Sequence, residues 1–506
     1  MSARTDLRTL RGHRVPAWWS DAKLGIFVHW TPSSVAGFAP VDSDIGDLLA
    51  AGSPEAMAET PYTEWYENSL RFPNSSASRH HRERFGLMPY AELADRFRAG
   101  LEVWDPDDWA RRFAATGARY VVLVTKHHDG FCLWPSTVTN PHREGWHTGR
   151  DVVGELRDAV LAAGMRFGVY YSGGLDWTFD RRPIGNLGDM IAAIPRGDYP
   201  AYAEAQVREL IERYRPSVLW NDIAWPAEAA KLWPLLSHYY DAVPDGVVND
   251  RWMPWSPLLR VAQNRTVRRG ADLVNARVTR GNGGLIPPKP PFFDVQTPEY
   301  VVFDDVRRTP WECVRGMDQS FGYNRMSRPE HFLTADGLLD MTADIASKGG
   351  NLLLNVGPRG EDATIPDEQL GLLDALGYWT AGPGRSVFGS RPWVRATGEV
   401  TCADGRRVPV RFWSADRHVD VAVLGTVEGD VVVGGVVATP TTTVHLLDDR
   451  ANPDDGVDPD DRADPVVLDR AAVPDGLRVT LPGPRDRPVI RLRDVDAAPT
   501  TYHPST

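Results

Sequence analysis

Short apolar runs recur along the first three-quarters of the chain, each closed by a polar or aromatic cluster. The clearest are Gly25-Ile26-Phe27-Val28-His29-Trp30, Tyr120-Val121-Val122-Leu123-Val124-Thr125, Phe167-Gly168-Val169-Tyr170-Tyr171, Val218-Leu219-Trp220 and Leu352-Leu353-Leu354. Runs this short and this continuously apolar predict strands buried on both faces of a parallel sheet. Helical patterns separate them. Asp105-Pro106-Asp107-Asp108 opens one helix with acids and Gly117 ends it, while Val153, Leu156 and Val160 share a face of the next, before Gly164. Weaker strands are read at Gly246–Trp252, Phe292–Glu299 and Ser320–Asn324. Eight strands alternating with helices or long loops predict an α/β fold, a (β/α)8-like barrel over residues 1–390. A doubly wound open sheet shares the alternation, but its Gly-rich phosphate turn after the first strand is absent.

After about Arg391 the period changes to two. Val408, Val410 and Phe412 alternate with polar residues, as do Val419, Val421 and Val423, and then Leu477, Val479 and Leu481. That pattern, with Gly and Pro punctuation, predicts an antiparallel β-sandwich over residues 391–506. The acidic stretch from Asp448 to Asp464 reads as a solvated loop.

Composition narrows the function classes. A net charge of −12 over 506 residues argues against a nucleic-acid partner. No run is long and apolar enough to predict a membrane span, and Met1 to Leu7 lacks the apolar core of a signal peptide, so a cytoplasmic location is expected. Three scattered cysteines, Cys132, Cys313 and Cys402, give neither a disulfide framework nor a zinc site. The 18 tryptophans change the picture more, because many stand beside polar motifs. Aromatic faces next to hydroxyl-binding groups suit a carbohydrate site, although large aromatic cores are also common.

Strand ends concentrate the candidate chemistry. His29, His127, His128, Tyr171, Asp222, Arg251 and Glu299 all fall at or just past the carboxyl ends of predicted strands, where barrels place their sites. Two carboxylates among aromatics and donors describe glycoside hydrolysis. Alone, Asp222 could equally cap the following helix. A metal-dependent carbohydrate hydrolase or deacetylase is the rival, with His127, His128, Asp129 and Asp222 as ligands, but neighbouring residues of an extended segment point apart. A non-catalytic sugar-binding protein is a third reading. The segment from Trp252 to Pro291, with Arg260, Arg265, Arg268, Arg269, Arg277, Arg280 and Lys289, reads as a surface excursion or subunit contact, or as an overhang above the site.

Several motifs together resemble the α-L-fucosidases of glycoside hydrolase family 29. They are Ala22-Lys23-Leu24-Gly25-Ile26-Phe27-Val28-His29-Trp30, Glu64-Trp65-Tyr66, Thr125-Lys126-His127-His128-Asp129-Gly130-Phe131, Tyr170-Tyr171-Ser172, Leu219-Trp220-Asn221-Asp222 and Asn351-Leu352-Leu353-Leu354-Asn355-Val356-Gly357-Pro358. The resemblance is strongest to bacterial members of broad specificity. It implies a retaining exo-α-L-fucosidase with Asp222 as nucleophile and Glu299 as acid/base, Glu312 being the runner-up. It also implies sugar contacts from His29, Glu64, Trp65, His127, His128, Tyr171, Trp220 and Arg251, with Phe321 and Tyr62 against the C6 methyl group. No cofactor or metal is expected, the partner is a fucosylated glycan or glycoside, and a homo-oligomer is open because some relatives assemble through their barrels. A retaining pair of carboxyl groups would lie about 5–5.5 Å apart.

Overall fold

Alternate residues of the buried runs part company across the sheet. Phe27, Tyr120, Val122, Val124, Tyr170, Val218, Trp220, Val314 and Leu353 join one apolar cluster inside the curl of the sheet. Ile26, Val28, Val121, Leu123, Val169, Tyr171, Leu219 and Leu354 join the larger cluster beneath the helices. This period-2 split is what a strand buried on both faces must show. The computed structural model describes residues 7–42, 44–50, 53–256, 284–415, 417–447 and 466–498. Arginines 260 to 280 of the basic segment and the acidic stretch from 448 to 464 lie outside the described residues.

The strands β1 (Leu24–Val28), β2 (Tyr120–Lys126), β3 (Arg166–Tyr171), β4 (Val218–Asn221), β5 (Val247–Val248), β6 (Glu312–Gly316) and β7 (Asn351–Val356) form one parallel sheet. Its order is β5-β4-β3-β2-β1-β7-β6. Residues 294–300 link the two edge strands: Asn249 bridges Val295, Gln296 bridges Trp311 and Glu299 bridges Val314, all in the parallel sense. The strand expected over Phe292–Glu299 is therefore a set of bridges rather than a ladder. Pro298 has no N–H to continue one. The strand expected at Ser320–Asn324 is a loop, begun by an Asp318 carboxylate that accepts the Ser320 N–H at 3.1 Å. Its place in the sheet belongs to β6, which pairs with β7 from Glu312↔Asn351 to Gly316↔Asn355. At the floor, Gly25 leaves room for the Tyr120 ring, since a Cβ there would stand 2.4 Å from it.

Eleven further strands follow: β8 (Arg391–Cys402), β9 (Arg407–Ala415), β10 (His418–Val423), β11 (Thr426–Val427), β12 (Asp430–Gly434), β13 (Val436–Leu447), β14 (Val466–Val467), β15 (Arg470–Val473), β16 (Gly476–Thr480), β17 (Arg485–Asp486) and β18 (Val489–Ala497). Nine make one antiparallel sheet in the order β14-β13-β18-β10-β9-β8-β12-β16-β15. The sheet folds over so that β13 meets β15 and β16, around Val410, Phe412, Val421, Leu477 and Val479. The expected alternating residues supply that core.

The helix Ala335–Ser347 carries Asp336, Asp340 and Asp344 four residues apart, on the side facing the antiparallel sheet. Arg487 reaches Asp336 at 3.0 Å and Asp340 at 2.9 Å, and Arg411 pairs with Asp344. The helix thus joins the two units by charge. Trp413, Ala422, Leu447 and Val489 join them by packing within the barrel's own apolar cluster.

Candidate active site

Inward parity carries β4 beyond Val218 and Trp220 to Asp222. The backbone turns immediately: Ile223 is held at φ +66°, a conformation costly for a β-branched residue. The Asn221 amide fixes that turn, donating to the carbonyls of Ala224 at 3.0 Å and Arg251 at 2.7 Å. Tyr300, directly after Glu299, also has a left-handed backbone, φ +56°. Each such residue costs about 1–3 kcal/mol, a strain that concentrates at functional sites.

One guanidinium joins the two carboxylates. Arg251 donates to Asp222 Oδ1 at 3.0 Å and to Glu299 Oε1 at 2.6 Å, and its third contact is the Thr297 carbonyl at 3.2 Å. Trp220 lies beneath it, 4.8 Å from ring centre to guanidinium carbon. Asp222 also accepts the Tyr170 hydroxyl at 2.7 Å and the Ile223 N–H at 2.8 Å. His128 Nε2 stands 3.8 Å from the same carboxylate. Glu299 accepts the Tyr62 hydroxyl at 3.4 Å. Burial raises the Glu299 carboxyl above its ordinary value, opposed by Arg251 and reinforced by the charge of Asp222.

The remaining wall is largely neutral near pH 7. Burial lowers His29 to about 4, against a hydrogen bond of 2.5 Å between its Nδ1 and Asn355. Burial also lowers His127 and His128 well below the usual histidine value, and the charge of Lys126 adds to both. Glu64 is pushed up to about 8 by burial, although it accepts the Gly322 N–H at 3.0 Å. Phe321 packs between Tyr62 at 5.2 Å and His29 at 5.0 Å. Trp65 meets His128 edge-on at 5.1 Å. His127 Nδ1 and Trp220 Nε1 are buried without a hydrogen-bond partner among the described residues.

The pocket gathers His29, Tyr62, Glu64, Trp65, His127, His128, Trp220, Asp222, Arg251, Glu299 and Phe321. It does not gather Tyr171. That side chain faces the helices, where its hydroxyl donates to Gln206 at 2.9 Å. Its neighbour Tyr170 faces inward and bonds Asp222, so the assignment was off by one position on a period-2 strand. Glu312 is likewise elsewhere. It begins β6 at the barrel floor, buried against the Tyr120 hydroxyl and away from the pocket. The sequence reading missed Tyr170, Asn355 as the anchor of His29, and an aliphatic rim of Ile45, Leu49, Met57, Leu187, Met190, Ile223 and Leu285. The inward parity of Trp220 and Leu353 could have found the first two; nothing local marks the rim. Among the described residues, two groups could hold a metal ion by spacing, His29 with Glu64 and His127, and His127 with His128 and Asp222, the ligand atoms of each lying within 4.8 Å of one another. No described helix is long and apolar enough to cross a membrane.

Residues 2–385 match the family model described as Alpha-L-fucosidase. Tissue alpha-L-fucosidase of Bos taurus is 30% identical over 397 residues, covering 77% of this chain and 72% of its own. A solved alpha-L-fucosidase superposes with a TM-score of 0.78 at 35% identity, covering 97% of this chain and 100% of its own. The Thermotoga maritima alpha-fucosidase in complex with fucose gives 0.75 at 34% identity, covering 97% and 99%. The strand-end carboxylates, their shared arginine and the aromatic wall thus sit in a chain whose barrel belongs to the alpha-L-fucosidase family of glycoside hydrolases.

Proposed function

We propose that the protein is a retaining exo-α-L-fucosidase that removes terminal α-L-fucosyl residues from glycosides or glycans, with Asp222 as nucleophile and Glu299 as acid/base. The observation that carries this reading is the single Arg251 guanidinium bound to both carboxylates. One arginine binds two carboxylates only when both face the same cleft, as glycoside hydrolysis requires, and the retaining route is the part of the reading that the family likeness supports. Arg251, Tyr170 and the Ile223 N–H all donate to Asp222 and hold its carboxyl group in place for attack. Glu299, raised by burial, gives its proton to the leaving oxygen.

The pair then exchanges roles. Once Asp222 is esterified to the sugar, its charge no longer raises Glu299, while burial, Arg251 and Tyr62 still act on that carboxyl. The lowered Glu299 takes a proton from water, which attacks the anomeric carbon and frees Asp222. His127 Nδ1 and Trp220 Nε1 gain partners from sugar hydroxyls, and Phe321 with Tyr62 covers the C6 methyl group. The neutral fucose ring needs no counter-charge from the wall, in keeping with neutral histidines.

Release of fucose from an aryl α-L-fucoside is the direct test. Asp222→Ala should lose turnover by roughly 10⁴-fold, with partial rescue by azide to the β-fucosyl azide. Full turnover in that variant refutes the assignment. The spacing of His127, His128 and Asp222 favours one second reading, a metal-dependent carbohydrate hydrolase or deacetylase. It requires inactivation by chelators and metal in the purified protein. Fucose binding without turnover would instead identify a binding protein. The cytoplasmic location is tested by fractionation.

A further inference from the structure

The antiparallel unit has a groove of its own, crossing β8, β9, β10, β18 and β13 at one end of the sheet. Two irregularities meet there. Between Pro392↔Trp413 and Thr397↔Arg411, four residues of β8 stand against one of β9. Between Ala438↔Val495 and Thr443↔Arg493, four residues of β13 stand against one of β18. Bulges of this kind re-aim side chains and are common beside binding sites. The first puts Trp393 in the groove, half-buried and backed by Phe412 at 5.3 Å. The second puts the Thr439 and Thr441 hydroxyls there, opposite Asp494, whose carbonyl accepts from Thr439 at 2.8 Å. Arg417, His418, Asp494 and Asp496 also line the groove.

We propose that this groove is a second carbohydrate-binding site, taking a neutral oligosaccharide stretch rather than the terminal fucose. A tryptophan held rigid from behind offers a platform for the apolar face of a pyranose, and hydroxyls, carboxylates and a guanidinium beside it suit the ring's hydroxyl groups. Arg417 stands in the same groove as Asp494 and Asp496, so the groove offers no block of a single sign with which to select an ion. The ligand class that remains is polyhydroxylated and uncharged. If the barrel acts as proposed above, the groove would keep a fucosylated polymer close to the pocket by raising its effective concentration.

The test measures binding apart from turnover. The full chain is run in native gels containing xyloglucan from which fucose has been removed, a probe without the sugar expected in the barrel pocket. Retardation in the wild type that falls roughly tenfold in apparent affinity in Trp393→Ala supports the site, provided both proteins hydrolyse an aryl fucoside equally. Should Trp393→Ala misfold, Thr441→Ala with Asp496→Ala, both at the groove surface, must weaken retardation. Wild-type mobility unchanged by the polysaccharide overturns the proposal. So does retardation only by a sulfated polysaccharide that 0.5 M salt (about a 4 Å screening length) abolishes. Absence of fucosidase activity with retardation intact would fault the barrel reading and leave the groove standing.

Discussion

The barrel buries a glutamate at each end, and the two share a tyrosine partner and a raised carboxyl but not a neighbouring carboxylate or a place in the pocket. Glu299, at the strands' carboxyl end, is 8% exposed, lines the pocket and meets Arg251 and Tyr62. Glu312, at the floor, is 1% exposed and bonds the Tyr120 hydroxyl. Burial raises both carboxyls, Glu312 to about 7. A perturbed proton affinity therefore does not single out the acid/base. The lesson is that chemistry needs a route for the substrate and a charge that changes during turnover, and only the upper glutamate has Asp222 beside it.

The comparison breaks most sharply on activity. Glu299→Gln should lower kcat/KM by about 10²–10⁴-fold on glycosides with poor leaving groups, and less on aryl fucosides that need little protonation. Glu312→Gln should stay within about twofold on both. Equal losses in the two variants would erase the distinction.

Stability against pH should show the reverse. The folded chain keeps the Glu312 proton up to about 7, whereas an ordinary glutamate, near 4.5, has released it earlier. Its stabilising share is therefore complete below 4.5 and is lost as pH rises through about 7. Glu312→Gln retains an acceptor for Tyr120 and does not ionise. Denaturant titrations should show the variant gaining on the wild type as pH rises, by up to about 3 kcal/mol above pH 8. A constant difference from pH 4 to 9 would contradict this.

A smaller effect separates the adjacent tyrosines. Tyr170→Phe removes a donor to Asp222 and should lower kcat/KM roughly 10- to 100-fold, as loss of a hydrogen bond to a charged group does. Tyr171→Phe should leave kcat/KM within about twofold and cost about 1 kcal/mol in denaturant titration, because its bond to Gln206 is buried among the helices. Activity loss in Tyr171→Phe alone would reverse the inward assignment.

These pairs also mark how far the sequence was legible. Strands β1, β2 and β7 are buried on both faces and announce themselves as apolar runs. The antiparallel strands carry their core residues at every second position, which is equally plain in the chain. By contrast, β6 reads Glu-Cys-Val-Arg-Gly, and its place in the sheet comes from pairing with β7, which no local pattern reveals. The aromatic stretch at Ser320–Asn324 looked more like a strand because Phe321 serves the pocket. The Tyr170-Tyr171-Ser172 motif points to Tyr171, whereas Tyr170 is the one that pairs with inward Trp220. Asp336, Asp340 and Asp344 stand at helical spacing, but their arginine partners lie far along the chain.

The left-handed backbones at Ile223 and Tyr300 have a bearing on how such a chain changes over time. Under selection for heat tolerance alone, these are the two positions near the pocket where glycine or asparagine would be gained first, because glycine has no Cβ to clash and asparagine bonds locally in that conformation. A lineage accepting that relief would let Asp222 and Glu299 drift relative to Arg251. Its thermal tolerance and its turnover would then move in opposite directions, with the loss appearing one residue away from each carboxylate.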